Sequence, residues 1–236
     1  MNDRQLFLLI GQSNMAGRGT VEPRDRVTNP RIVMLTRELQ WTPANDPVHF
    51  DKPEIAGVGL CSEFARVLIK TDPRITVGLI PCAFGGTRLD EWKPGDKLYT
   101  NAVFRTRKAM ESGALAGILW HQGESDAGSA KAATYPERLA AMISLLRRDL
   151  GAKTVPLVLG ELCRANPVYA SFNAAFSDVV RRVPHSALVT SEDLRDKGDK
   201  THFDAESLRV FGRRYAAVFL RLKAAANTAR SGAGSL

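Results

Sequence analysis

The sequence predicts a doubly wound α/β protein, a parallel sheet with helices on both faces. Two observations carry this. Short apolar runs of strand length alternate with longer stretches of helical period along the whole chain. Several of the runs are continuous rather than alternating, as strands covered on both faces are, and they break into glycine and small polar residues. Those breaks fall beyond the carboxyl ends of strands, where such sheets hold their ligands.

Gln5 to Gly11 reads as the first strand, and the loop behind it holds Ser13. Arg31 to Leu35 is a short second strand. Glu38 to Gly59 is rich in Pro, Asp and Trp with no clear period, and connections of that length are usually functional lids or disordered. Ser62 to Thr71 has helical spacing at Phe64, Val67 and Leu68. Ile75 to Ala83 is a β-branched strand that ends in Phe84-Gly85-Gly86-Thr87-Arg88. Leu98 to Met110 reads as a helix. Ala116 to Trp120 is a strand that runs directly into His121-Gln122-Gly123-Glu124-Ser125-Asp126. Tyr135 to Leu150 is a periodic helix, opened by Pro136 and stopped by Gly151. Val155 to Leu162 is a strand, Tyr169 to Val183 a helix and Ala187 to Ser191 a short strand. Asp204 caps a last helix that reaches Ala226. No repeat or composition shift marks a linker, so residues 1–226 read as one domain and 227–236 as a flexible tail.

The 236 residues are 44% hydrophobic and 25% charged, ordinary for a globular chain. The net charge is +8, but the lysines and arginines are scattered over expected helix faces. No like-charge block or basic stripe interleaved with aromatics is present, so no nucleic-acid partner is expected. Three cysteines, Cys61, Cys82 and Cys163, are too few and too widely spaced for a disulfide framework or a zinc set. No apolar run can span a bilayer, so no membrane partner is expected. The first strand begins almost at once, without a cleavable apolar leader. That gives an expectation of a cytoplasmic protein, which a removed leader would reverse.

A serine hydroxyl needs a base, a group to orient the base, and donors for the oxyanion. His49 lies in the long loop and His185 in a helix-to-strand turn. His121 and His202 flank element ends on the strand-carboxyl side. Asp199 stands three residues before His202, a spacing that lets its carboxylate reach Nδ1 while Nε2 faces a serine. A solvated loop, or an Asp capping the next helix, fits the same residues. Gly85-Gly86 is either a plain turn or a backbone donor in close approach. The Gln122 amide can donate to an oxyanion, worth about 3–4 kcal/mol of transition-state stabilisation. His121, Glu124 and Asp126 also suggest a metal set, which lacks a second histidine nearby.

Taken together, Gly11-Gln12-Ser13-Asn14-Met15, Gly85-Gly86-Thr87 with Trp92, His121-Gln122-Gly123-Glu124, and Asp199-x-x-His202-Phe203 resemble the ordered signature blocks of the SGNH/GDSL-type hydrolase superfamily. The Gln-Ser-Asn-Met and His-Gln-Gly-Glu forms resemble the branch of sialate O-acetylesterases and acetylxylan esterases (carbohydrate esterase family six). The resemblance implies a three-layer α/β/α sandwich around a flavodoxin-like parallel sheet of about five strands. It implies a serine acetylesterase acting on an O-acetylated carbohydrate without cofactor or metal. Ser13 would be the nucleophile, His202 the base and Asp199 its orienter. Ser13, Gly85 or Gly86, and Gln122 would form the oxyanion hole. Gln12, Asn14, His121 and Glu124 would support the site, with Glu124 an alternative orienter of His202. Arg18, Arg88 and Arg164 are candidates for pairing with a substrate carboxylate. A noncatalytic carbohydrate-binding protein on the same fold is the alternative function.

Overall fold

The computed structural model describes residues 4–233. β1 (Arg4–Gly11) turns into a one-turn helix, α1 (Ser13–Ala16), and the chain continues to a hairpin of β2 (Ile32–Leu35) and β3 (Trp41–Pro43). Then follow α2 (Cys61–Thr71), β4 (Thr76–Pro81), α3 (Lys97–Ala109), β5 (Ala114–His121), α4 (Tyr135–Asp149), β6 (Leu157–Gly160), α5 (Pro167–Phe172), α6 (Ala174–Arg182), β7 (Ser186–Val189) and α7 (Ala205–Ala233). Among the described residues, no helix is long and apolar enough to cross a membrane.

The sheet has seven strands in the order β3-β2-β4-β1-β5-β6-β7. Every pair is parallel except β2 with β3. The run β4-β1-β5-β6-β7 has the second-first-third-fourth-fifth order of a flavodoxin-like sheet. The expected five-strand core is therefore present, and β2 and β3 extend it at the β4 edge. The direction of winding reverses between β1 and β5, and the crevice at their carboxyl ends is where such sheets bind ligands.

Successive β1 side chains serve opposite layers, as the two-residue pleat requires. Phe7 and Leu9 pack on the α2 and α7 side, where Phe7 meets Phe64 and Phe219 edge-on at 4.9 and 5.1 Å. Leu6, Leu8 and Ile10 pack on the α3, α4 and α6 side, with Tyr99, Leu139 and Phe176. The α2 positions Cys61, Phe64, Ala65, Leu68 and Ile69 are buried at the spacing of one helix face.

Three expectations about elements need correction. The helix expected over 169–183 breaks at Asn173. That side chain leaves the helix to clamp Leu162, accepting from its N–H at 2.7 Å and donating to its carbonyl at 3.1 Å. The last helix does not stop at Ala226. It continues to Ala233 through an alanine-rich stretch with high helix propensity, so only 234–236 of the expected tail lie outside the described residues. Asp204 does cap it, accepting from Ser207 N–H at 2.7 Å.

The third concerns residues 38–59, expected to be an irregular excursion without elements. They contribute β3 and are then strapped to the loop after β1. Gly19 and Val58 exchange backbone hydrogen bonds of 3.1 and 2.8 Å, and Gly57 N–H donates to Gly17 O at 3.2 Å. Asp46 is buried in the strap and accepts from Gly59 N–H at 3.2 Å. Burial pushes its carboxyl from 3.8 up to about 7, against the lowering pull of its hydrogen bonds. The folded value lies above the unfolded one, so the folded protein holds this proton more tightly. The stabilisation is complete below about pH 4 and is lost as pH rises through 7. Asp46→Asn removes that loss. Thermal melts of the two proteins should therefore show the variant gaining on the wild type between pH 5 and pH 8; a constant difference refutes this.

Candidate active site

Ser13 sits where β1 ends. Gly11 has φ +129°, and a Cβ there would lie 2.1 Å from His121 O, so no other residue fits without moving β5. Gln12 N–H then donates to His121 O at 2.8 Å, and the chain coils directly into α1. Ser13, only 5% exposed, points its Oγ at His202 Nε2, 2.9 Å away. His202 Nδ1 lies 2.7 Å from Asp199 Oδ2. The other Asp199 oxygen accepts the N–H groups of Thr201 and His202 at 2.9 and 2.7 Å. Burial pushes the Asp199 carboxyl up, but the amide and ring of His202 and the Thr201 amide together hold it below the usual aspartate value. An ionised Asp199 fixes the imidazole proton on Nδ1 and leaves the Nε2 lone pair for the serine hydroxyl.

The loop that presents His202 is braced from two sides. Asp196 Oδ2 accepts from Gly198 and Lys200 N–H at 2.9 and 2.6 Å, and Lys200 takes a left-handed backbone, φ 55°. Asn14, fully buried, donates to Thr201 O at 3.0 Å and to Glu124 Oε1 at 2.7 Å, and accepts from Phe203 N–H at 3.1 Å. Of the two carboxylates weighed as the orienter of His202, Asp199 touches it and Glu124 lies behind Asn14. With its amide nitrogen turned toward Thr87 O and Glu124 Oε2, at 3.1 and 3.3 Å, Gln12 braces the same carboxylate. His121 is wholly buried. Its Nδ1 lies 3.2 Å from the Tyr215 hydroxyl, which donates to Trp120 O at 3.0 Å, and its ring meets Phe203 and Phe211 edge-on. Its Nε2 is 3.7 Å from Glu124 Oε1, so His121 backs the site from the core.

Several expected roles do not match this geometry. The Gln122 amide is buried and its two protons are taken by Asp126 Oδ2 and Thr87 O, at 2.8 and 3.1 Å, so it has none for an oxyanion. The Gly85 N–H donates to Asp51 Oδ2 at 2.8 Å. Arg18 is consumed by the same Asp51, at 2.6 Å, and by Gly17 O, at 2.7 Å. A Cβ on Gly85 would lie 2.4 Å from the Arg18 guanidinium, which accounts for that glycine. Arg164 is held in a fork by Glu161 at 2.7–3.0 Å and cannot also serve a substrate carboxylate. Arg88 is exposed and pairs with no acid among the described residues. The Ser13 and Gly86 N–H groups find no acceptor among them either. Asp126 is committed to Gln122 and to Leu89 N–H, so His121, Glu124 and Asp126 do not converge as a metal set would. The three cysteines are unpaired and buried, and burial raises each thiol above its usual value, Cys82 to about 12. Such thiols are poor nucleophiles.

Asp51 is the site residue that sequence reasoning missed. Its only signal was its place in an aperiodic loop.

Residues 3–221 match the family described as carbohydrate esterase, sialic acid-specific acetylesterase. The chain belongs to that family. It is 31% identical to a probable carbohydrate esterase of Arabidopsis thaliana, over 92% of this chain and 90% of that one. The solved structure of the Arabidopsis protein superposes with a TM-score of 0.86, covering 94% of this chain and 99% of that one at 28% identity. The crystal structure of NanS shares the fold at a TM-score of 0.76, with 18% identity, covering 92% and 97% of the two chains. The carbohydrate esterase fold is thus the SGNH-type sandwich expected from the sequence blocks.

Asn14 is the brace common to this esterase's serine loop, histidine loop and Glu124. Asn14→Ala takes one hydrogen bond from the buried Glu124 carboxylate and leaves the Thr201 carbonyl and the Phe203 N–H without theirs, so urea denaturation should show a loss of about 3 kcal/mol. A loss under about 1 kcal/mol would mean that the brace is not needed.

Proposed function

We propose that this carbohydrate esterase removes O-acetyl groups from a sugar through an acyl-Ser13 intermediate. The continuous hydrogen-bond chain from Ser13 Oγ through His202 to Asp199 supports it best. His202 Nε2 takes the hydroxyl proton as Ser13 Oγ bonds to the acetyl carbon, and the carbonyl electron pair moves onto oxygen. The Ser13 and Gly86 N–H groups, which have no other acceptor among the described residues, are the proposed oxyanion donors. Collapse of the intermediate expels the sugar oxygen, which takes the proton from His202. Water then repeats the sequence and releases acetate. Asp199 keeps the imidazole in the correct tautomer and stabilises it when charged. These steps use side chains, backbone and water alone.

The family description and the unpaired Arg88 favour a sugar carrying a carboxylate, such as a sialate, over neutral xylan. In this reading Arg88 pairs with that carboxylate.

A fluorophosphonate probe should label Ser13, and the label should be lost in His202→Ala. Ser13→Ala should abolish turnover of p-nitrophenyl acetate with the fold intact. Asp199→Asn should lower kcat by a factor on the order of 10⁴, and Glu124→Gln by far less. Unlabelled, folded wild-type protein would move the assignment to carbohydrate binding without catalysis. Arg88→Ala should raise KM for acidic acetylated sugars and leave neutral ones unchanged; an unchanged ratio removes Arg88 from recognition.

A further inference from the structure

Beside the site runs a groove of about 750 Å³, between the strapped segment after β3 and the first turns of α3. Its size suits a ligand larger than an acetyl group. Its wall adjoins the glycine turn beside the site, where Asp51 accepts from Gly85 N–H at 2.8 Å. Phe84, on its wall, donates its N–H to Gly11 O at 3.0 Å and precedes Gly85 and Gly86.

Two features of this groove point to a ligand. First, it exposes aromatic faces. Phe84 is 40% and Phe104 56% exposed, and Phe50 is half-buried on the same wall. Exposed rings in one concavity offer stacking faces to a ligand. Second, the charge is one-sided. Arg37, Lys97 and Arg105 line the groove, and Lys52 lies over the Phe84 ring at 5.9 Å, on the side toward Gly86. None of the four pairs with a carboxylate among the described residues. Arg37 and Arg105 are held by backbone carbonyls and stack at 5.2 Å on Phe50. The one acid on the wall, Asp51, is 1% exposed at its side chain and neutralised by Arg18. Other cations on this basic chain are matched by acids, as Arg209 is by Asp25, Glu22 and Glu206.

We propose that the groove of Arg37, Phe50, Phe84, Lys97, Asn101 and Phe104 is a subsite for a carboxylate-bearing sugar unit joined to the one whose ester reaches Ser13. The inference rests on the esterase reading for the direction of the chain, and extends it from a single acetylated sugar to an acidic oligosaccharide. Ring faces take the apolar faces of the sugar, Asn101 and Thr100 offer hydrogen bonds to its hydroxyls, and the guanidinium of Arg37 and the ammonium of Lys97 take the carboxylate. An aromatic, cationic groove also suits a single-stranded nucleic acid. Its place against the Gly85-Gly86 turn, in a carbohydrate esterase, favours the sugar.

The test measures binding rather than turnover. Calorimetry compares an unacetylated tetrasaccharide bearing uronic acids with a neutral one of equal length. The wild type should bind the acidic ligand at least about tenfold more tightly. Lys97→Glu with Arg37→Glu should erase that preference, and Lys97→Glu alone, at an exposed and unpaired position, should weaken it. Phe104→Ala should weaken both ligands. Hydrolysis of p-nitrophenyl acetate should stay within about twofold throughout. Equal affinity for the two sugars, or a preference that survives charge reversal, overturns the subsite. So does binding of a single-stranded oligonucleotide in place of either sugar. If the wild type cleaves no ester, the esterase reading fails, while the binding arm still decides the subsite.

Discussion

The site depends on one crossing. The loop after β1 and the loop before α7 are 189 residues apart in sequence, yet Ser13 and His202 meet within hydrogen-bond distance. A hydroxyl and an imidazole cannot hold two loops together. Asn14 does so, since its amide satisfies Thr201, Phe203 and Glu124 at once. It is fully buried, where unmade hydrogen bonds are most costly, so alternative placements of the His202 loop are penalised. Glu124 anchors Asn14, and Gln12 and His121 surround Glu124. The polar residues behind the serine therefore form one network whose output is the position of His202.

Parallel topology brings the parts of that network together. β4, β1 and β5 are adjacent, so the segments that leave their carboxyl ends emerge side by side. Those segments are Phe84–Arg88, Gln12–Gly17 and Gln122–Asp126. α7 packs across the same sheet, with Tyr215 reaching His121 and Trp120 O, and so delivers the residues just before it to the same edge. The winding reversal between β1 and β5 leaves the space they share.

Much of this was readable from the sequence. The core strands, the helices between them and the four polar blocks announce themselves through local pattern, because period and strand-end chemistry are local properties. So was Asp199 with His202, since that contact spans three residues. What failed was the assignment of individual donors. Gln122 and Gly85 stand at the expected places, but a donor is available only if no neighbour takes it. The takers are Asp126, four residues on, and Asp51, from an aperiodic loop. Arg18 and Arg164 failed for the same reason, consumed by Asp51 and Glu161. β3 was missed because three residues have no measurable period and owe their pairing to β2. Asn173 was missed because its helix break serves a loop that lies ahead of it in the chain.

The distribution of work between core and insertion follows. The five-strand core supplies Ser13, Asn14, Gly86 and Glu124, with His202 and Asp199 entering at the head of α7. The β2–β3 hairpin and the strap after it supply none of these. Instead they give Asp51, which locks Arg18 and Gly85, together with Arg37, Phe50 and Lys52 at the neighbouring groove. Asp51 thus works on both sides. It fixes the glycine turn next to the site, and it removes the one negative charge from a wall otherwise lined by cations. The Ser13 chemistry and the proposed subsite thus lie on different parts of the sheet, joined by the buried Arg18–Asp51 pair and by the backbone bonds of Gly17 and Gly19 to Gly57 and Val58. If the proposed subsite holds, an insertion anchored in this way changes what is recognised while Ser13, His202 and Asp199 keep their positions.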